Sequence, residues 1–146
     1  MIYLEFEKYR DKFLNAQQMF NNVLIEQEQL FTRTQPNAIR YDKEKVSGGG
    51  GCNMLENYVI SLEDKQIHEK LSMLRQLLDD REKLLRQKES ELRQSTNKYD
   101  KIYVLKYLDG YSISRVADKL NYSKSQIYRM LGKMNKMRQN ANLHVL

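Results

Sequence analysis

Apolar side chains at alternating steps of three and four residues open this chain, and no other feature constrains its fold as much. Phe6, Tyr9, Phe13, Ala16, Phe20, Val23, Gln27 and Leu30 follow that spacing, and all but Gln27 are apolar or aromatic. The pattern is the seam of a coiled-coil-like helix. Such a helix cannot bury its seam alone, so it needs a partner helix. The chain carries a candidate. Ile60, Ile67, Leu71, Leu74, Leu78, Leu85 and Leu92 keep a seven-residue rhythm over about 54–95, interrupted by Asp64, Arg81 and Lys88. Leu55, Val59 and Leu62 add a second apolar strip near its start. No proline or glycine occurs between Asn53 and Asp109.

Between the two patterns lie the only proline, Pro36, and a run of four glycines, Gly48 to Gly51. Four consecutive glycines resist any regular element, so about 32–53 is expected to be a flexible connector. The run does not read as a phosphate loop, because no strand pattern precedes it and no Gly-Lys-Ser/Thr follows. The expected fold class is therefore all-α. Residues 1–97 form an antiparallel helical hairpin folded back across the connector, followed by a separate domain at 98–146. The second helix, about 60 Å long at 1.5 Å per residue, outruns the first. The seam around Leu85 and Leu92 is then left for another cover. A second copy of the chain would make a homo-oligomer, and the C-terminal domain is the other option.

Charge separates the two regions. Residues 1–99 carry 16 basic and 16 acidic side chains, whereas residues 100–146 carry 9 basic and 3 acidic. The whole net charge of +6 thus sits in the last third. A local positive field of this kind suits a polyanion such as double-stranded DNA. The bland alternative is a solvated basic tail. Other classes recede. Cys52 is the only cysteine, which precludes an intramolecular disulfide and fits a reducing compartment. The first residues lack a basic region followed by an apolar run, and no stretch reaches the roughly 20 apolar residues that span a bilayer. A soluble, cytoplasmic protein with no membrane association is expected.

The last third reads as three short helices. The first, about 100–108, has Ile102, Leu105 and Leu108 on one face and ends at Asp109-Gly110, where glycine accepts a left-handed conformation. Ser112 is positioned to cap a second helix, Ile113 to Leu120, with Val116, Ala117 and Leu120 inward. Asn121-Tyr122 makes a tight turn. Ser123 then caps a third helix in a Ser-x-x-Gln capping box with Gln126, and Ile127, Met130, Met134 and Met137 form its inner face. Two helices joined by so short a turn must cross steeply, which is the helix-turn-helix geometry. The short third helix is then the one to enter the major groove. Its outward candidates for DNA contact are Ser123, Lys124, Ser125, Gln126, Tyr128, Arg129, Lys133 and Lys136. Gln126 and Arg129 have the chemistry to read adenine and guanine, and Lys and Ser that to meet phosphate. Arg115 and Lys119, on the second helix, are placed to grip the DNA backbone.

These residues resemble a known family. Leu105, Tyr107, Gly110 and Ser112, then Arg115-Val116-Ala117, then Ser123 and Ile127 look like the promoter-reading C-terminal domain of bacterial sigma factors. The usual pattern there is apolar-x-Tyr-x-x-Gly-x-Ser, then Glu-Ile-Ala, then Ser-x-x-x-Val. The chain departs from it at Arg115, where Glu is typical, and at Asn121, where Gly is typical. Nothing in it resembles the core-polymerase clamp of a sigma factor. Over nearly its whole length the chain is similar to the small sigma-like prophage regulators of Gram-positive bacteria, the RinA and ArpU type. Those share the layout of an N-terminal helical region, a loop like Arg40 to Ser47 running into glycines, a long helix and this C-terminal domain. The resemblance implies a transcriptional activator of phage late or packaging genes, with RNA polymerase as a second partner.

Other features carry less. His68, His144 and Cys52 lie too far apart in sequence to suggest a metal site, and no catalytic constellation or cofactor motif is found. Asp79-Asp80, Glu89 and Glu91 read as the solvated surface of a long helix. Tyr99, Tyr103, Tyr107 and Tyr111 form an i+4 stripe, more in keeping with a packing seam than with a platform for stacked bases. Two rival functions stay open. One is the DNA-recognition subunit of a phage packaging (small terminase-like) machine, where the DNA-binding module usually precedes the oligomerising one. The other is a coiled-coil adaptor that does not bind DNA.

Overall fold

The computed structural model describes residues 1–34 and 52–143, with side chains for 1–32 and 59–143. The described residues are helical throughout apart from short connections, so the fold is all-α. α1 spans Ile2–Thr34, α2 Cys52–Gln94 and α3 Lys98–Tyr103, which runs on into a π-helical turn, Val104–Leu108. α4 spans Ile113–Leu120 and α5 Lys124–Leu143. Of the connector expected at about 32–53, residues 35–51 lie outside the described residues, as does His144. Thr32 to Thr34 continue α1, and Cys52 and Asn53 already belong to α2.

The chain packs as two compact units, residues 14–80 and residues 1–13 with 81–146. In the first, Val23 and Leu30 of α1 are buried with Ile67 and Leu71 of α2, flanked by Phe20, Ile60 and Leu74. The Arg75 guanidinium lies over the Phe20 ring, 5.8 Å from its centroid. Lys70 and Glu26 approach to 3.8 Å but are more than half exposed, so the pair adds little. This core is narrow, as the seam spacing anticipates. Every described position of the α1 seam, from Phe6 to Leu30, is buried or half-buried. On the second strip of α2, Val59 is 50% and Leu62 43% exposed.

The other unit holds the larger core. Tyr3 and Phe6 of α1, Leu92 of α2, Ile102 and Tyr103 of α3, Val116 and Ala117 of α4, and Ile127, Leu131 and Met134 of α5 are all buried in one cluster. Tyr103 stacks on Tyr3 at 5.4 Å and meets Phe6 edge-on at 6.0 Å. The tyrosine stripe is thus largely a packing seam. One expectation is corrected here and an open alternative is resolved. The core around the C-terminal helices extends past the boundary drawn at 97/98, because the ends of α1 and α2 supply its walls. Of the two covers left open for the seam at Leu85 and Leu92, the C-terminal helices supply it: Leu92 is 1% exposed within this core and Leu85 packs against it. The charges that interrupt the α2 seam also find use. Arg81 donates to the Lys12 carbonyl, and Lys88 pairs with Glu5 at 3.1 Å and Glu91 at 2.9 Å.

One polar group fixes this unit. Asp100 is 1% exposed, and its carboxylate accepts from the backbone N–H of Tyr3 at 3.0 Å and of Ile2 at 3.3 Å. The Ser95 hydroxyl donates to it at 2.6 Å. The first N–H groups of a helix have no partner within the helix, and its N-terminus is the positive end of the macrodipole. A carboxylate from a distant helix satisfies both needs of α1. Nearby, Arg138 of α5 pairs with Glu7 of α1 at 2.7 Å in a mostly buried setting, and its guanidinium lies 4.9 Å from the Tyr107 ring centroid. Arg93 at the end of α2 reaches both Glu89 at 2.9 Å and Asp109 at 3.1 Å.

The first short helix differs from the expected continuous α-helix over 100–108. The Asp109 N–H bonds to the Val104 carbonyl, five residues back, at 2.9 Å, and Gly110 then turns the chain at φ 72°. Ile102, Leu105 and Leu108 suit an α face or this wider turn equally, so their spacing does not report the change.

Asp100→Ala is expected to cost about 2–4 kcal/mol, because it removes a cap and strands buried donors. Urea unfolding of the full chain measures it, and an unchanged midpoint would show that the capped helix end does not need the carboxylate. Tyr103 gives a pH test. Burial pushes its phenol from the ordinary 10 up to about 12, against the opposing pull of Arg10. A raised folded-state pKa means that the associated stability is full below pH 10 and is lost as pH rises toward 12. Stability should fall by about 2 kcal/mol across that window through this group. The fall should be shallower in Tyr103→Phe, as read from denaturant midpoints at successive pH values.

Candidate nucleic-acid interface

The candidate site is built on α4, α5 and the residues that join them. Ser112 is extended at φ −65°, ψ 156°, and its Oγ accepts from the Arg115 N–H at 3.4 Å, which starts α4. Asn121 ends it in the left-handed region at φ 57°, ψ 41°, a conformation asparagine tolerates better than most residues. The N–H groups of Asn121 and Tyr122 both return to the Ala117 carbonyl, the latter at 3.0 Å. Ser123 follows at once with a reciprocal capping box. Its Oγ accepts from the Gln126 N–H at 3.2 Å, and the Gln126 Oε1 accepts from the Ser123 N–H at 2.9 Å. Three residues therefore separate α4 from α5. Val116, Ala117, Ile127 and Leu131 close the space between the two helices within the core.

α5 is not the short helix expected from the sequence. It runs for 20 residues. Its later part holds Met134 in the core, and Arg138 pairs with Glu7. Its earlier part presents one face inward through Ile127, Leu131 and Met134 and leaves the other bare. At 100° per residue, Ser125, Arg129, Gly132 and Lys136 fall on one outward line, with Lys133 beside it. All are exposed, as are Ser123, Lys124, Gln126 and Tyr128, the last at 60%. Lys124, Arg129, Lys133 and Lys136 make no ion pair or hydrogen bond among the described residues. They contrast with Arg93 and Arg138, whose charges are matched by carboxylates.

The two cations assigned to α4 are held differently. Arg115 lies 5.6 Å and Lys119 4.2 Å from the centroid of the Tyr111 ring. One aromatic ring thereby gathers two positive charges with no acidic partner for either among the described residues. Tyr111 is half-buried and packs on the core, so its ring is a fixed support. The sequence placed Tyr111 in a packing stripe and missed this second use. The tyrosine–cation spacing of i+4 and i+8 was the available signal.

One candidate takes a double role. The Gln126 carboxamide oxygen is engaged by the Ser123 N–H, yet bidentate reading of adenine would need that same oxygen. In this arrangement Gln126 shapes the start of α5, leaving Arg129, Lys124 and Tyr128 as the unencumbered side chains of its first turns. No group of His, Cys, Asp and Glu able to hold a metal occurs among the described residues, and no helix there is long and apolar enough to cross a membrane.

Gln126→Ala should lower stability by about 1 kcal/mol through loss of the capping box. Gln126→Glu, which keeps the acceptor and sets a carboxylate at the helix N-terminus, should leave stability at or above the starting value. Paired thermal melts read the difference, and equal melting points for both variants would show that the box contributes nothing.

Comparison of the chain with models of protein families, with curated proteins and with solved structures finds no match, so the reading of this face rests on its geometry and charge.

Proposed function

We propose that this protein is a sequence-specific DNA-binding transcriptional regulator, with α4 and α5 as the two helices of a helix-turn-helix. The observation that carries the reading is that α5, a helix with a firmly capped start, bears four exposed cations without an ion pair among the described residues: Arg129, Lys133 and Lys136 on its outward face and Lys124 in its first turn. α5 is of a size to lie in the major groove, about 12 Å wide. In this reading Arg129 meets base edges. Lys124, Lys133 and Lys136 meet phosphates, and Tyr111 presents Arg115 and Lys119 to the adjoining backbone. Ser123, Ser125 and Tyr128 complete the contact surface.

The rest of the proposal follows the sequence resemblance. Residues 14–80 serve as a helical hairpin, with α1 and α2 antiparallel along their shared seam. Its 7 basic and 10 acidic side chains give a net charge of −3, which fits contact with protein rather than with DNA. A single helix-turn-helix makes few phosphate contacts, so a second attachment raises occupancy through effective concentration. RNA polymerase is the proposed second partner, as in an activator of phage late genes, and a second copy of the chain is the other source. Adding polymerase holoenzyme to the bound promoter distinguishes activation from repression by the direction in which transcript yield moves.

The DNA reading is tested on the full chain, because residues 98–146 alone lack Tyr3, Phe6 and Leu92 from their core. Arg129→Ala should relax discrimination between preferred and altered duplexes by about 1–3 kcal/mol. Lys133→Ala and Lys136→Ala should weaken all duplexes alike and reduce the salt slope by about one each. Anisotropy titrations at several salt concentrations separate the two effects. Binding that is absent in the unsubstituted chain at low salt would remove the reading.

A further inference from the structure

Gly132 sits in the middle of α5, where glycine weakens a helix. The fold supplies no reason for it. Its backbone is not in the left-handed region, since Gly110 is the only described glycine with positive φ. Among the described residues, a Cβ built on Gly132 would meet no heavy atom within 4 Å beyond its chain neighbours and the backbone of its own helix, so no packing neighbour requires the space. An alanine would fit and would favour the helix. The residue is exposed and lies on the outward line of α5, three residues after Arg129 and four before Lys136, with Lys133 beside it.

We propose that Gly132 is the point of closest approach between α5 and the DNA, a contact-determining position on the interface described above. The inference rests on that DNA reading and deepens it. A helix with side chains is about 10–12 Å across, close to the width of the major groove, so its depth of entry is limited by what projects from the leading face. Flanking cations can swing aside to reach phosphates, but a Cβ cannot move away from its backbone. Bare backbone at Gly132 lets the helix axis settle deeper by roughly the depth of a methyl group. That brings the Arg129 guanidinium within reach of base edges instead of stopping it at the phosphates. The glycine therefore serves the complex at a cost to the free protein.

The test uses the full chain with Gly132→Ala and Gly132→Leu, beside Arg129→Ala. A random-sequence duplex pool is first enriched on the unsubstituted chain, and the enriched duplex and the starting pool are then titrated with each protein. Gly132→Ala should melt roughly 2–4 °C higher. It should bind the enriched duplex about tenfold more weakly, with the starting pool little affected, and Gly132→Leu should lose more. Unchanged binding in both glycine variants, with Arg129→Ala weakened, would overturn the inference while leaving the DNA reading intact. A lower melting point for Gly132→Ala would also overturn it, because the glycine would then be serving the fold. Failure of the unsubstituted chain to enrich any duplex would remove the DNA reading and this inference with it.

Discussion

The Asp100 carboxylate is the constraint on which the C-terminal unit depends. It sits almost wholly out of water, where a lone charge is costly. It is tolerated because two first-turn N–H groups of α1 and the Ser95 hydroxyl converge on it. The three donors come from the start of α1 and the link after α2, so one group binds together segments nearly a hundred residues apart. Apolar packing then follows the geometry it sets. Tyr3, Phe6, Leu92, Ile102 and Tyr103 close around that junction. α5 joins through Ile127, Leu131 and Met134, and the Glu7–Arg138 pair ties its later part to α1. The outward face of α5 is therefore held by contacts on its opposite side and by its later turns. None of those contacts uses the residues proposed to meet DNA.

What was legible in the sequence was local. The caps at Ser112 and Ser123, the left-handed Asn121 and Gly110, and the boundaries of α4 each depend on residues within four or five positions of one another. The α1 seam was legible for the same reason, since a helical repeat writes its burial pattern directly into spacing. What was missed depends on distant pairs. No local pattern announces that Asp100 will cap a helix 97 residues away, or decides which of the two open covers Leu92 will take. The 97/98 boundary followed composition and charge, whereas packing drew the start of α1 and the end of α2 into the same core. Gln126 shows a subtler limit. Its type and place suited both a capping box and a base contact, and only the bond from the Ser123 N–H reveals that its carboxamide oxygen is engaged.

Composition assigned nine basic residues to the last third of the chain, and their surroundings separate them into groups. Arg138 is neutralised by Glu7 and enclosed by tyrosines, so it belongs to the fold. Lys106 rests on Tyr107, and Arg115 and Lys119 share Tyr111. Lys124, Arg129, Lys133 and Lys136 stand on α5 without such support. Arg129 and Lys133 are four residues apart, and Lys133 and Lys136 are three apart. Like charges at those spacings destabilise a helix by about 0.2–0.5 kcal/mol per pair. The free protein thus carries repulsion and a mid-helix glycine on one face of one helix, and neither improves its own stability. A polyanion reverses the sign of the first effect, and close contact makes use of the second. That shared placement of two independent costs is the strongest physical argument for reading the face as a surface made to be covered by nucleic acid.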